Sequence, residues 1–117
     1  MTKAKQLRDA IYAPEILVQL GVFDGFSTRL VEHMGYTSAF ITGSGVSETR
    51  LGQVDVGNMG MEENVAAVRS IAACSDLALL ADADTGYGNA VNVYHTVRAF
   101  EQAGAAGIML EDQVWPK

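Results

Sequence analysis

The stretch Leu77-Ala78-Leu79-Leu80-Ala81-Asp82-Ala83-Asp84-Thr85-Gly86-Tyr87-Gly88-Asn89 decides how the rest of the chain is read. The apolar run from Leu77 to Ala81 has the length of a buried strand. It closes on two carboxylates, Asp82 and Asp84, and on a glycine-rich turn that opens a helical pattern from Val91 to Ala103. A strand that ends in acids, turns tightly and feeds a helix is one unit of a parallel α/β fold. The connection between parallel strands has to cross back over the sheet, and a helix is the usual crossover.

The same rhythm extends both ways. Downstream, Gly107 to Leu110 reads as the next strand, ending at Glu111 and Asp112. Upstream, Glu62 to Ser70 and on to Cys74 reads as a helix, Thr37 to Thr42 as a strand, and Ser27 to Met34 as a helix stopped by Gly35. Ile16 to Val22 reads as the first strand, closed by Gly21 and followed by Asp24, and Thr2 to Ala13 as a leading helix capped by Thr2 and ended by Pro14. The segment Gly43 to Gly60 is punctuated by glycine and poorly periodic, and reads as a long structured loop. Four strands alternating with helices predict an α/β class with a parallel sheet. Polar residues follow every strand: Asp24, then Gly43-Ser44-Gly45, then Asp82 and Asp84, then Glu111 and Asp112. Ligands of such folds sit at the carboxyl ends of the strands, so four separated segments are predicted to converge on one site.

Composition sets the outer bounds. A chain of 117 residues is one domain or part of one. Lys plus Arg is 8 against 14 Asp plus Glu, a formal charge of -6 with no basic cluster, which argues against nucleic acid. Hydrophobic residues are 49%, enough for a core, yet the apolar runs fall far short of the roughly 20 residues of a membrane helix. The N-terminal residues lack the apolar stretch of a secretory signal. The single cysteine, Cys74, forms no internal disulfide and is expected to be buried and inert, and a reducing cytoplasm is the expected compartment. His33 and His95 fall on helices, where a solvated or packed role is expected.

Asp82 and Asp84 stand two positions apart, the spacing at which strand side chains share a face. With Glu111 and with Asp55 from the long loop, three or four acids can surround one point. Such a group in a dry pocket calls for a cation, and oxygen-only ligands favour Mg²⁺ or Mn²⁺. Spacing alone weighs this evenly against acids that cap helices and face solvent. Gly43-Ser44-Gly45-Val46 could turn backbone N–H groups and the Ser44 hydroxyl toward an anion, and Thr85 to Asn89 has the residues either of a ligand-approaching turn or of a plain strand-to-helix turn.

Taken together, Gly21-Val22-Phe23-Asp24-Gly25-Phe26-Ser27, Gly43-Ser44-Gly45-Val46-Ser47, Leu51-Gly52-Gln53-Val54-Asp55, Asp82 to Asn89, and Glu111-Asp112-Gln113 with Pro116-Lys117 resemble the isocitrate lyase and phosphoenolpyruvate mutase superfamily. The resemblance implies the N-terminal half of its fold: the first four strand-helix units of a (β/α)₈ TIM barrel, with residues 1–15 as a leading helix and 16–117 as barrel units. It implies a homo-oligomer, a tetramer in the intact family fold, and a 2-oxo or 2-hydroxy acid bound through Mg²⁺, with Mn²⁺ as a substitute. Asp82, Asp84, Asp55 and Glu111 are implied as the metal site, the last two through waters. Phe23, Asp24, Ser44, Gly45, Val46, Asp82 and Asn89 are implied as substrate contacts, and Lys117 and Asp55 as catalytic positions. Phe23 stands where many members carry tyrosine, so a hydroxyl contact is missing. Gln113 favours a lyase over a phosphonomutase, which commonly has lysine there. The implied activity is carbon–carbon cleavage of a 2-hydroxy di- or tricarboxylate, of the 2-methylisocitrate or dimethylmalate type, through an enolate. The alternatives are an oxaloacetate decarboxylase, a phosphonomutase or phosphonopyruvate hydrolase, and a non-catalytic half barrel, and the 117-residue segment alone is expected to be inactive.

Overall fold

The computed structural model describes residues 1–116; Lys117 lies outside the described residues. The leading helix α1 spans Lys3–Tyr12, with the Thr2 hydroxyl accepting from the Lys5 N–H at 3.2 Å. It ends at Ala13, which is extended because the following Pro14 disfavours helical backbone in the residue before it. Strand β1 (Leu20–Val22) leads into α2 (Gly25–His33), whose Asp24 cap is closed reciprocally with Ser27. Strand β2 (Ser38–Ile41) is followed by α3 (Gly43–Arg50) and α4 (Met61–Ala73). Strand β3 (Ala78–Asp82), helix α5 (Ala90–Ala103) and strand β4 (Gly107–Met109) complete the order.

The sheet runs β1-β2-β3-β4, every pair parallel. Register puts Val22, Ile41, Ala81 and Ile108 in one row and Ala39 beside Leu79 in another. These two rows make the buried face: Val22, Ala39, Ile41, Leu79 and Ala81 are wholly inaccessible beneath Val31 of α2, Val46 of α3, Val65, Val68 and Ile71 of α4, and Phe100 of α5. Gly21, Phe40, Leu80 and Gly107 form the alternate row, which is only partly covered. Helix α1 reaches that row through Leu7: a Cβ built on Gly107 would lie 3.1 Å from Leu7 and 3.3 Å from Leu80. A parallel sheet in sequential order, with crossover helices on one face and a leading helix, is the first half of a (β/α)₈ barrel, as the resemblance implied. No helix among the described residues is long and apolar enough to cross a membrane.

Two sequence expectations need correction. Gly43 to Gly60 is not loop throughout, since its first eight residues are α3. That helix is poor in helix formers, and it is held by the Thr42 cap, whose Oγ1 accepts from the Gly45 N–H at 3.3 Å, and by burial of Val46 and Ser47. Tertiary burial of so short a segment leaves little period to read. The first strand is also shorter than Ile16 to Val22, because Ile16 and Val18 are exposed and precede the paired residues. The remaining elements fall within one or two residues of their expected bounds. Cys74 caps the end of α4 and is half-buried.

Candidate metal centre

Asp82 is the last residue of β3. The ladder continues one step further, with the Ala83 N–H donating to the Met109 carbonyl at 3.0 Å, and then the chain leaves the sheet. Asp84 has φ +48°, a left-handed conformation that Asp tolerates better than most residues. The convergence of the two acids is therefore made by a turn, and strand alternation, the expected cause, ends at Asp82. The Asp84 N–H donates to Asp82 Oδ1 at 2.9 Å, and the Glu111 N–H donates to the Asp84 carbonyl at 2.7 Å. These bonds draw the ends of β3 and β4 together. One carboxylate oxygen from each of Asp82, Asp84 and Glu111 lies within 4.8 Å of the others. Asp82 is 6% exposed and Asp84 1%, and Glu111 is half-buried.

Three carboxylates this close repel one another, and burial of two removes the water that would screen them. Each has a donor holding an oxygen. Asp82 Oδ1 accepts from the Asp84 N–H, Asp84 Oδ2 accepts from the Tyr87 hydroxyl at 2.8 Å, and Glu111 accepts from the Gln113 side-chain amide. Such donors orient the carboxylates. A hard divalent cation could be held by this group, and an oxygen-only set fits Mg²⁺ or Mn²⁺ better than softer metals.

The turn after Asp84 is built around Gly86 and Tyr87, at φ +95° and +61°. A Cβ on Gly86 would sit 2.6 Å from the Val93 side chain, so only glycine fits there. Tyr87 folds back into the molecule and stacks on Phe100 at 6.4 Å between ring centroids. Its hydroxyl meets Asn64 Nδ2 at 2.8 Å, and the same amide nitrogen donates to the Asp82 carbonyl at 2.8 Å. Burial pushes the Tyr87 phenol well above the usual tyrosine value; the Asn64 hydrogen bond pulls it down, and the negative field of Asp84 and Asp82 adds to the rise.

The other predicted residues occupy several settings. Asp55 is half-buried in the segment between α3 and α4 and is not part of the three-oxygen group. That segment turns toward the end of the chain, since a Cβ on Gly57 would meet Trp115 at 2.9 Å. Ser44 is in the first turn of α3, its hydroxyl donating to Glu48 at 3.2 Å. The Gly45 N–H goes to Thr42 Oγ1 and the Val46 N–H to the Thr42 carbonyl at 3.0 Å, while the Val46 side chain is wholly in the core. Asp24 caps α2, accepting from the Ser27 N–H at 2.7 Å. With half-buried Phe23 it borders a groove between α2, α3 and α4, lined also by Arg50 and Ser70, that shares no residue with the acidic group. Asn89 caps α5, accepting from the Val91 and Asn92 N–H groups.

Sequence reasoning gave no role to Asn64 or Tyr87. Tyr87 lies inside the glycine-rich turn from Thr85 to Asn89, but nothing in its spacing shows that it turns inward. Asn64 carried a readable signal: it shares the buried positions of α4 with Val65, Val68 and Ile71, and a polar residue in an apolar stripe demands a partner.

The model of the family described as phosphoenolpyruvate phosphomutase matches residues 7–116. The chain is 42% identical to a 2,3-dimethylmalate lyase of Eubacterium barkeri over its whole length, covering 40% of that protein. It is 36% identical to an oxaloacetate decarboxylase of Bradyrhizobium diazoefficiens, over 98% of the chain and 40% of the relative. A crystal structure of phosphonopyruvate hydrolase in complex with oxalate and Mg²⁺ superposes with a TM-score of 0.89 at 33% identity, over 100% of the chain and 41% of that structure. The chain thus spans about 40% of the length of these relatives.

Proposed function

The chain belongs to the phosphoenolpyruvate phosphomutase family, and from that premise we propose that it forms the metal-binding half of a lyase that cleaves a 2-hydroxy di- or tricarboxylate of the dimethylmalate or 2-methylisocitrate type. The observation that carries this reading is the oxygen-only group of Asp82, Asp84 and Glu111 at the carboxyl ends of β3 and β4. In it Asp82 and Asp84 would hold Mg²⁺, or Mn²⁺ in its place, with Glu111 and Asp55 contributing through water. When bound, the ion supplies positive charge that polarises substrate oxygens and steadies the negative charge developing as the carbon–carbon bond breaks.

The chain's own residues orient the substrate and handle protons. Ser44, Gly45 and Val46 at the start of α3 are proposed to receive a substrate carboxylate, which would replace Thr42 Oγ1 as the partner of the Gly45 N–H, with Phe23, Asp24 and Asn89 as further proposed substrate contacts. Cleavage removes the 2-hydroxyl proton, converts that carbon to a carbonyl, breaks the adjacent carbon–carbon bond and leaves its electron pair as an enolate, which then takes a proton. Asp55 and Lys117 are the proposed residues for these transfers. The same reading places the protein in the cytoplasm as a homo-oligomer.

A second reading, decarboxylation of oxaloacetate, draws on the 36% identity to an oxaloacetate decarboxylase. The two differ in products, so the test is NMR analysis after incubation with Mg²⁺ and, in turn, 2,3-dimethylmalate, 2-methylisocitrate, oxaloacetate and phosphonopyruvate. A 2-oxo acid released with a second carboxylate supports the lyase. Carbon dioxide or a phosphorus product replaces it with the decarboxylase or the phosphonate reaction. Mg²⁺-dependent binding of oxalate with no turnover is the outcome expected of the 117-residue segment alone and supports its metal site without separating these activities. Unchanged metal binding in Asp82→Ala removes the assignment of the metal site.

A further inference from the structure

We propose that Asn64 and Tyr87 are positioning residues for the acidic centre, forming a one-way chain of hydrogen bonds that fixes the orientation of the Asp84 carboxylate at the cation site; this rests on the metal reading above. The direction of the chain is set at both ends by groups that can only accept. The Asp82 carbonyl, 2.8 Å from Asn64, requires the amide to present its NH₂ there and not its oxygen. The second hydrogen of that NH₂ goes to the Tyr87 oxygen, which leaves the phenol's own proton to be donated to Asp84 Oδ2. A single amide therefore holds the backbone of one acid and, through the phenol, the side chain of the other.

Three further observations support a dedicated role. Asn64 is wholly buried, and its Oδ1 has no hydrogen-bond partner among the described residues, so this position is more costly than an apolar side chain of similar size would be. Tyr87 adopts a left-handed backbone that is unfavourable for an aromatic residue, which the stacking on Phe100 and the two hydroxyl bonds offset. Partners that orient metal-binding carboxylates in this way change affinity as strongly as some ligands do.

The test measures Mn²⁺ affinity of the full 117-residue chain by EPR, with thermal melting of each variant alongside. Tyr87→Phe keeps the stacked ring and removes only the hydroxyl, and it is expected to weaken Mn²⁺ binding about 10-fold, within the range known for such partners. Asn64→Leu is expected to weaken it at least as much, and the double variant no further than Asn64→Leu alone, because the two residues act as one unit. Val31→Ala, a buried residue of α2 outside the element that carries Asn64, should melt earlier with its Mn²⁺ affinity unchanged. Wild-type affinity in Tyr87→Phe, or losses that add in the double variant, would overturn the proposal. If the wild-type chain binds no Mn²⁺ at all, the metal reading itself fails and this inference falls with it, an outcome distinct from the other two.

Discussion

Gly43 presses against Asp82: a Cβ placed on this first residue of α3 would stand 2.8 Å from Asp82 Oδ2 and 3.1 Å from its carboxyl carbon. The start of α3 thus forms one wall of the acidic centre, and the absence of a side chain at residue 43 is what leaves room for the carboxylate. Gly43→Ala should push Asp82 out of register with Asp84 and Glu111. We expect a cost of about 1–3 kcal/mol in stability from overpacking, together with weaker Mn²⁺ binding. Urea unfolding and a Mn²⁺ titration check the two parts separately.

Crowded carboxylates store repulsion that a cation relieves, so metal and mutation should act in opposite directions. In EDTA, Asp82→Asn is expected to melt higher than wild type, since it removes one charge while an amide oxygen can still accept from the Asp84 N–H. Addition of Mg²⁺ should reverse the order. At free ion about 100-fold above its Kd, the wild type gains about 2.7 kcal/mol through linkage, and the variant gains far less. Differential scanning calorimetry in both buffers reads the crossing.

Tyr87 gives a pH signature. The folded state keeps its phenol protonated well past the usual tyrosine value of about 10, mainly through burial, whereas the unfolded chain ionises near that value. The folded state then binds more protons than the unfolded state, so this contribution is fully present below pH of about 10 and is lost as the pH rises above it. Tyr87→Phe has no such proton to lose. Its stability difference from wild type should be constant between about pH 7 and 9 and shift in its favour at about pH 11, as measured by chemical unfolding at each pH.

Asn89 separates a cap from a substrate contact. It satisfies two N–H groups at the start of α5, and Asn89→Ala should cost about 1 kcal/mol of stability in urea. A cap alone predicts unchanged oxalate affinity in the presence of Mg²⁺, whereas the substrate role predicts a loss, which calorimetric titration distinguishes.

The strand-helix rhythm was legible because strong apolar runs such as Leu77 to Ala81 and the stripe of Val65, Val68 and Ile71 carry their period over enough residues. Asp82, Asp84 and Glu111 could be grouped because each stands just past an apolar run. Helix α3 was not legible: its eight residues include two glycines, and its stability comes from the Thr42 cap and from packing, neither of which leaves a period. The turn that converges Asp82 and Asp84 was hidden too. Spacing of two suggests a shared strand face, and only the positive φ of Asp84 shows that a different geometry does the work. The inward course of Tyr87 depends on Phe100 and Asn64, and such long-range partners have no local sequence mark.

The contact of Leu7 with Gly107 and Leu80 ties the first helix to the last strand, while every strand pairs with its neighbour in sequence. Sequential pairings close short loops and form early, whereas a clasp between opposite ends of the chain bears the largest loop-closure entropy. Helix α1 is therefore expected to dock last as the chain folds and to be the first element to lift away from the native state. Its amides should exchange with solvent ahead of those in β2 and β3, making the leading helix a latch whose release precedes global unfolding.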